Sequence, residues 1–382
     1  MTAIHLLSSD RRLTNTQWHL ESLLWNMPSL QTQGTSWNAQ AILNLCETGW
    51  LALVPYYNVL GKSVRDTMQA IAEKYQLLKL HRITRMRIEY ILAMKQWTSL
   101  ETITDVFSHP QALLQTTKER QEIIPYAQSQ HAKSTADWLE IILNGKNEGK
   151  NAAAITTPFQ ILPWENEKLS IINNFGPDNN HTYFALLWLR DLEIEIPELI
   201  NSQNHTIMSE DAIKFGVLTI PNYPWSLCDA LGKISTHDIN IMSIMSFPQS
   251  DNTVIFTIAY SNEQLTRNNF SIKKNKAKPV INQIQSKNNQ DFSAIIHIPT
   301  NTPGSLYYTL LLLKDIIDLQ EISSIGTGMD TVDFEIKFSL RSGTGDDIEN
   351  KINTIFQDAS VEPILITRPT KEEIGKILHN LH

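Results

Sequence analysis

Three stretches in the first half of the chain carry residue types suited to holding an anion. Leu51-Ala52-Leu53-Val54-Pro55 reads as a short buried strand ended by proline, Asn58 and Gly61 as the loop after it, and Ser63 to Ile71 as a helix. A strand, a polar loop and a helix start leave free backbone N–H groups pointing at the loop, which suits an anionic ligand. His81, Arg82, Arg85 and Arg87 come next, on a strand-like segment. Such a cluster is most simply a solvated strand face and otherwise a carboxylate-binding surface. Ser108-His109-Pro110-Gln111-Ala112-Leu113-Leu114-Gln115 reads as a helix start, with Pro110 in the first turn and Ser108 as its cap. Leu113 and Leu114 would face a core, while Ser108 and Gln115 offer polar groups.

Other chemistries find less support. The 11 His are dispersed without metal-ligand spacing, so no metal is expected. No G-x-G-x-x-G, no P-loop and no G-x-S-x-G elbow occurs, and no cofactor is expected. Cys46 and Cys228 are the only cysteines, both in helix-like apolar stretches. Two cysteines make no disulfide framework and fit a reducing compartment. A net charge of -8 argues against general nucleic-acid binding. The longest apolar run, Leu306 to Leu313, is too short to span a bilayer, and the N-terminus has no secretory signal pattern. A cytoplasmic protein without membrane or nucleic-acid partners is therefore expected.

The elements around these residues fall into two halves. At 382 residues, two or three domains are expected. Strands and helices alternate through residue 190, as in an α/β domain with a largely parallel sheet. Gln111 to Gln121 continues as a helix closed by Ile123-Ile124-Pro125, Ser134-Thr135-Ala136 caps another over Asp137 to Leu143, and Ala152-Ala153-Ala154-Ile155 is a buried run. An acidic then polar linker spans 191–208. Two similar units follow, each reading strand, proline-bearing loop, helix, strand, strand. The first runs from Phe215 to Ala259 and the second from Phe292 to Leu340, with a closing helix from Asp346 to Phe356. Their loop prolines are Pro224 and Pro303, and Lys273 to Lys287 reads as a basic linker between them. A repeat of this length suggests duplicated small domains.

The SHPQALLQ stretch resembles the SHPQALxQ segment of the prephenate dehydratase family. Further segments resemble that family in its order. Gly34-Thr35 is similar to its GTFS segment, Pro55-Tyr56-Tyr57-Asn58 to PIEN, Ser63-Val64 to the SV after it, Ser134-Thr135-Ala136 to ESTxA, Ala153-Ala154-Ile155 to AAI, and Asn180-His181-Thr182-Tyr183-Phe184 to N-x-T-R-F. The resemblance implies two α/β lobes of periplasmic-binding-protein type over 1–192, with the active site between them. It implies conversion of prephenate to phenylpyruvate, water and carbon dioxide in phenylalanine biosynthesis. It makes Thr182 the catalytic residue and Asn58, Ser63, Ser108, Gln115, Ser134, Thr135 and Phe184 substrate-binding residues. The family's acids fall at Tyr57 and Lys133, its arginine at Tyr183, and its GE pair and later histidine at Arg82, Ile83 and Tyr90. Lys133 is then a candidate replacement cation for the substrate carboxylate.

Each C-terminal unit resembles an ACT domain, a ferredoxin-like α+β ligand-binding module, over 209–268 and 288–365. Pro303-Gly304-Ser305-Leu306 is similar to its PGAL loop and Pro224-Trp225-Ser226-Leu227 more loosely so. The resemblance implies an amino-acid effector, phenylalanine, held at Gly304, Ser305 and Leu306 and at Trp225, Ser226 and Leu227. The ESR segment falls at Met245-Ser246-Phe247 and Ser323-Ser324-Ile325, without acid or arginine. Homodimers or tetramers are expected, and no chorismate mutase domain is expected before the first motif. Two other readings stand beside the dehydratase: a prephenate decarboxylase-like enzyme, and a catalytically silent small-molecule sensor.

Overall fold

The computed structural model describes residues 3–7, 31–35, 38–49, 51–131, 142–143, 151–191, 213–223, 225–235, 239–262, 279–286, 291–299, 305–325, 331–341, 348–358 and 378–380. These residues fall into two compact units. Unit 1 takes its described residues from Met1–Leu60 and Arg85–Phe184, and unit 2 from Gly61–Thr84, Ala185–Leu192 and Ile207–His382.

Elements in chain order begin with β1 (Ala3–Leu7), β2 (Gln31–Thr35), α1 (Asn38–Thr48), β3 (Leu51–Asn58), β4 (Lys62–Ser63), α2 (Arg65–Lys74) and β5 (Leu78–Arg87). Next come β6 (Ile91–Lys95), β7 (Asp105–Ser108), α3 (Pro110–Gln115), α4 (Thr117–Ile123), β8 (Gln128–His131), β9 (Ala152–Thr156), α5 (Pro163–Asn166), β10 (Leu169–Ile172) and β11 (His181–Leu189).

Two sheets carry the N-terminal half. The first has the order β2-β1-β3-β11-β5, with β1 parallel to both β2 and β3. The second has the order β10-β6-β9-β7-β8, parallel at β9-β7-β8 and antiparallel at β10-β6-β9. Its central strand β9 is buried at every position, as expected for a strand covered on both faces. The protein is thus of mixed α/β architecture, with parallel pairing in both sheets.

Several sequence expectations shift here. β3 runs through Pro55 to Asn58, and Pro55 is its one position that is not fully buried. The helix expected from Ser63 starts at Arg65, and Ser63 lies in β4. Ser108 does not cap α3. With Pro110 at the first helical position the cap falls to His109, whose Nδ1 accepts from the Gln111 N–H at 3.3 Å. The helix expected over Gln111 to Gln121 is two short helices with a break at Thr116, whose hydroxyl bonds back to Ala112 O at 2.8 Å. The capped helix expected from Ser134 lies largely outside the described residues.

Unit 2 continues with β12 (Lys214–Pro221), α6 (Ser226–Ser235), β13 (Ile239–Pro248), β14 (Thr253–Asn262), β15 (Val280–Ser286), β16 (Asp291–Ile298), α7 (Ser305–Leu313), β17 (Ile317–Ile325), β18 (Val332–Leu340), α8 (Ile348–Asp358) and β19 (Leu378–Asn380). The repeat therefore exists as β12-α6-β13-β14 and β16-α7-β17-β18. Both copies join one eight-stranded sheet of order β15-β16-β18-β17-β13-β14-β12-β19, antiparallel at every described pairing. β16 alternates buried and half-buried positions along its length, so one face meets the helices. Leu231 and Ile234 of α6, Leu310 and Leu313 of α7, and Ile352 and Phe356 of α8 close that core. The expected basic linker is corrected in part. Residues 280–286 form β15, tied to α8 by Asn353, which accepts from Ile281 N at 2.9 Å and donates to Ile281 O at 3.2 Å.

The seam between the repeats is made by two serines. Ser246 Oγ accepts from Ile322 N at 3.0 Å and donates to Ile322 O at 3.1 Å. Ser324 Oγ does the same across the seam, at 2.8 Å from Ile244 N and 3.3 Å from Ile244 O. Both serines stand at the ESR positions that lack the acid and the arginine. Their hydroxyls substitute for ladder partners where β13 meets β17 around the Met245–Ser323 pair.

Candidate functional site

The polar centre of unit 1 forms where the end of β3, the end of α3 and the start of β11 converge. Asn58 is 4% exposed and Asn180 fully buried. Asn58 Nδ2 donates to Asn180 Oδ1 at 2.8 Å, Asn180 Nδ2 to Gln115 Oε1 at 3.0 Å, and Gln115 Nε2 to Asn58 Oδ1 at 2.9 Å. Three amides thus close a ring in which each donates to the next. Leu60 N adds a second donor to Asn58 Oδ1 at 3.0 Å, and Tyr90 OH a second donor to Gln115 Oε1 at 2.9 Å. A buried amide needs partners on both ends, and this ring supplies them without a formal charge.

Thr182 hangs from the ring. Asn58 Nδ2 donates to Thr182 Oγ1 at 3.0 Å, and to His181 O at 3.2 Å. The threonine is 9% exposed. Its oxygen is occupied as an acceptor, and among the described residues no acceptor receives its proton. The hydroxyl is therefore held as a hydrogen-bond donor toward whatever lies beside it.

Gly176 makes room for this arrangement. A Cβ at this position would lie 3.0 Å from Tyr90 Cδ2. Burial pushes the Tyr90 hydroxyl above its ordinary range, with a hydrogen bond from Asn180 acting the other way, so it stays a neutral donor.

Tyr57 and Tyr183 form an aromatic pair, with ring centroids 6.0 Å apart and an edge-on angle of 61°. Tyr57 precedes Asn58 and Tyr183 follows Thr182 by one residue on the same strands, so strand alternation sends the two pairs to opposite faces. The Tyr57 hydroxyl is buried and has no hydrogen-bond partner among the described residues. Burial, with Tyr183 beside it, pushes it well above the usual tyrosine range.

Of the expected site residues, the structure brings Asn58, Gln115 and Thr182 together. Ser108 is fully buried, but its hydroxyl donates to Ile155 O at 2.7 Å and ties β7 to β9. Phe184 is 1% exposed, two residues beyond Thr182 on β11. Ser63 belongs to unit 2, where its hydroxyl is 2.6 Å from that of Ser243. Lys133, Ser134, Thr135 and Gly304 lie outside the described residues. Ser305 and Leu306 open α7, and Leu306 is buried. Trp225, Ser226 and Leu227 line a pocket of unit 2. Arg87 is exposed and pairs with Asp178 at 3.0 Å and Glu89 at 3.4 Å, as on a solvated strand face.

Sequence reasoning did not single out Asn180, Tyr90 or Gly176 as working residues. Asn180 stood in the matched motif and Tyr90 at a replaced position, yet only their contacts reveal the roles. Among the described residues no cluster of His, Cys, Asp or Glu would hold a metal ion, and no helix is long and apolar enough to cross a membrane.

The prephenate dehydratase family matches residues 30–190, a span that contains the amide ring and Thr182. The match to that family thus lies in the half of the chain that holds the candidate site. No curated protein matches the sequence. Among solved structures, a prephenate dehydratase of Arthrobacter aurescens in complex with L-Phe is 20% identical, over 69% of this chain and 82% of that one, at a TM-score of 0.49. The prephenate dehydratase of Staphylococcus aureus subsp. aureus Mu50 is 17% identical over 69% and 90%, at 0.47. GqqA, described as a novel type of quorum quenching acylase, is 19% identical over 68% and 87%, at 0.47.

Proposed function

We propose that residues 1–192 act on prephenate as a dehydratase, releasing phenylpyruvate, water and carbon dioxide for phenylalanine biosynthesis. The observation that carries this reading is the Thr182 hydroxyl, held by Asn58 at 3.0 Å with its proton unclaimed. In the reaction the bond between the ring and its carboxylate breaks. Its electron pair enters the ring, and the ring expels the hydroxyl, which takes up a proton from solvent water and leaves as water. Aromatisation drives the step. Threonine is too weak an acid to give up its proton outright at neutral pH. It acts by hydrogen-bonding the departing oxygen as negative charge develops there. The amide ring fixes its direction beforehand, so little reorganisation is needed.

The substrate carboxylates need cations or N–H donors. We assign Lys133, with Ser134 and Thr135, to that task. Replacing Lys133 with alanine then weakens prephenate binding about tenfold, the scale of one charge-assisted contact. The C-terminal half, read as ACT-like modules over 209–268 and 288–365, binds an effector, with phenylalanine implied by the resemblance. Homodimers or tetramers in a reducing cytoplasm complete the reading.

The Tyr57–Tyr183 pair favours a second reading. It puts aromatic contact where the family has an acid and an arginine, as suits a protein that senses a small molecule without turning it over. Incubating the purified protein with prephenate at neutral pH and identifying the product by mass separates the possibilities. Phenylpyruvate above the spontaneous rate supports the dehydratase. A decarboxylated product that keeps the hydroxyl supports a decarboxylase, and no turnover supports the sensor.

A further inference from the structure

Tyr90 stands on one of the two segments that join the N-terminal sheets, between the end of β5 at Arg87 and the start of β6 at Ile91. The other segment runs from Ile172, at the end of β10, to His181, at the start of β11. Backbone bonds tie the two segments together, from Ile88 N to Asn180 O at 2.8 Å and from Phe175 N to Tyr90 O at 2.8 Å. Tyr90 is 7% exposed and Phe175 1%. With Gly176 close against its ring, Tyr90 has little room to turn, and its hydroxyl is delivered to Gln115 Oε1 at 2.9 Å.

Gln115 is the ring member that most needs such a tie. Asn58 is anchored by backbone groups, accepting from Leu60 N at 3.0 Å and donating to His181 O at 3.2 Å. Asn180 is fully buried on a shorter side chain. Gln115 is half-buried at the last residue of the six-residue α3, and its carboxamide bonds to the side chains of Asn58, Asn180 and Tyr90. The last torsion of a glutamine is soft and roughly two-fold, so its partners decide which end of the carboxamide points where. Two donors, the Tyr90 hydroxyl and Asn180 Nδ2, converge on Oε1. Nε2 is thereby turned to Asn58, which also donates to Thr182. A carboxamide nitrogen carries two hydrogens, and Asn58 Oδ1 takes one of them.

We infer that Tyr90 is a positioning residue for the candidate site. Its hydroxyl holds Gln115 with the N–H end toward Asn58, and the second Gln115 hydrogen joins the Thr182 hydroxyl as a donor to the departing oxygen. Two donors then meet the negative charge that develops there. Tyr90 touches no substrate and acts only through Gln115. The identity of the oxygen rests on the dehydratase reading, whereas the hold of Tyr90 on Gln115 does not.

The test has one arm that needs no turnover and one that does. In NMR spectra of the isotope-labelled full-length protein, the Gln115 side-chain amide signals are assigned by their loss in Gln115→Met. In Tyr90→Phe their hydrogen exchange with solvent should quicken about fivefold or more, the size of one lost hydrogen bond, while the backbone amides of Ile88 and Phe175 keep their wild-type protection. Unchanged exchange at Gln115 overturns the inference. So does a joint loss of protection at Ile88 and Phe175, which would make Tyr90 a packing residue. In steady-state kinetics with prephenate, Tyr90→Phe should lower kcat about fivefold with little change in KM, and should cost nothing further in the Gln115→Met background. Equal losses in both backgrounds overturn the inference. Absence of turnover by wild type removes the dehydratase reading, and the exchange measurement then decides the role of Tyr90.

Discussion

Replacing Asn58 with aspartate tests the amide ring with almost no change in shape. The amide nitrogen of Asn58 donates to Asn180, to His181 O and to Thr182, at 2.8, 3.2 and 3.0 Å. In the variant an oxygen faces Asn180 Oδ1 and His181 O, with only the Thr182 hydroxyl able to turn and donate to it, and an ionised carboxylate sits at a position 4% exposed. The amide ring supplies no cation to offset it. An uncompensated charge at a buried site costs about 3–5 kcal/mol. The variant should therefore lose about that much stability at pH 8, enough to consume much of a typical domain's margin. Its carboxyl titrates above the ordinary aspartate range in the folded state, because burial disfavours the charged form. The sign follows from that direction. The folded protein binds the extra proton more tightly than the unfolded chain, so the penalty is small in acid and grows as pH rises. Protonation also restores one donor toward Asn180 or Thr182. Urea unfolding of wild type and Asn58→Asp at pH 5 and pH 8 measures both effects. A variant within about 1 kcal/mol of wild type at pH 8, or a deficit that does not shrink on acidification, would refute a buried, charge-free ring around Asn58.

Three further perturbations follow from the same geometry. Gly176→Ala drives a Cβ to 3.0 Å from Tyr90 Cδ2 and should cost about 1–3 kcal/mol in urea unfolding, with an unchanged midpoint counting against the close approach. Tyr57→Phe removes a buried hydroxyl without a partner and should leave stability unchanged or raise it by about 1 kcal/mol, whereas a loss of more than that would reveal an unrecognised bond. Burial, and then the neighbouring His131, hold the His109 imidazole below its ordinary 6.5, and its Nδ1 caps α3 only while unprotonated. That stabilisation is fully present above pH 6.5 and is lost as pH falls through the lower folded value, so melting curves of wild type should drop on acidification more steeply than those of His109→Asn, which caps without titrating. Parallel curves would contradict the cap.

Motif-level reading reached Asn58, Gln115 and Thr182 because each lies in a distinctive segment, and the fold brings these three into one network. It gave Asn180 no role, although Asn180 stands in the same matched segment as Thr182, because only the contacts of its amide show it closing a ring. It overrated Ser108 as a cap because serine is the better capping residue, whereas Pro110 fixes the helix start and hands the cap to His109. The alternating pattern of β16 and the apolar spacing of α6 and α7 marked the repeat plainly. β15 was hidden, because Val280, Ile281 and Ile284 follow a lysine-rich stretch that reads as linker. The serine seam was not visible either. Ser246 and Ser324 register in sequence only as remnants of a degraded segment, and their role depends on the pairing of β13 with β17.

The central claim is that Thr182, aimed by Asn58, hydrogen-bonds the departing hydroxyl of prephenate. Steady-state kinetics of Thr182→Val and Thr182→Ser against wild type test it most directly. Valine keeps the shape and removes the donor. It should lower kcat about 100-fold or more with little change in KM, as expected for a contact that strengthens only in the transition state. Serine, which keeps the hydroxyl, should retain most of the rate. A valine variant with wild-type kcat, or one that changes KM alone, would contradict the account.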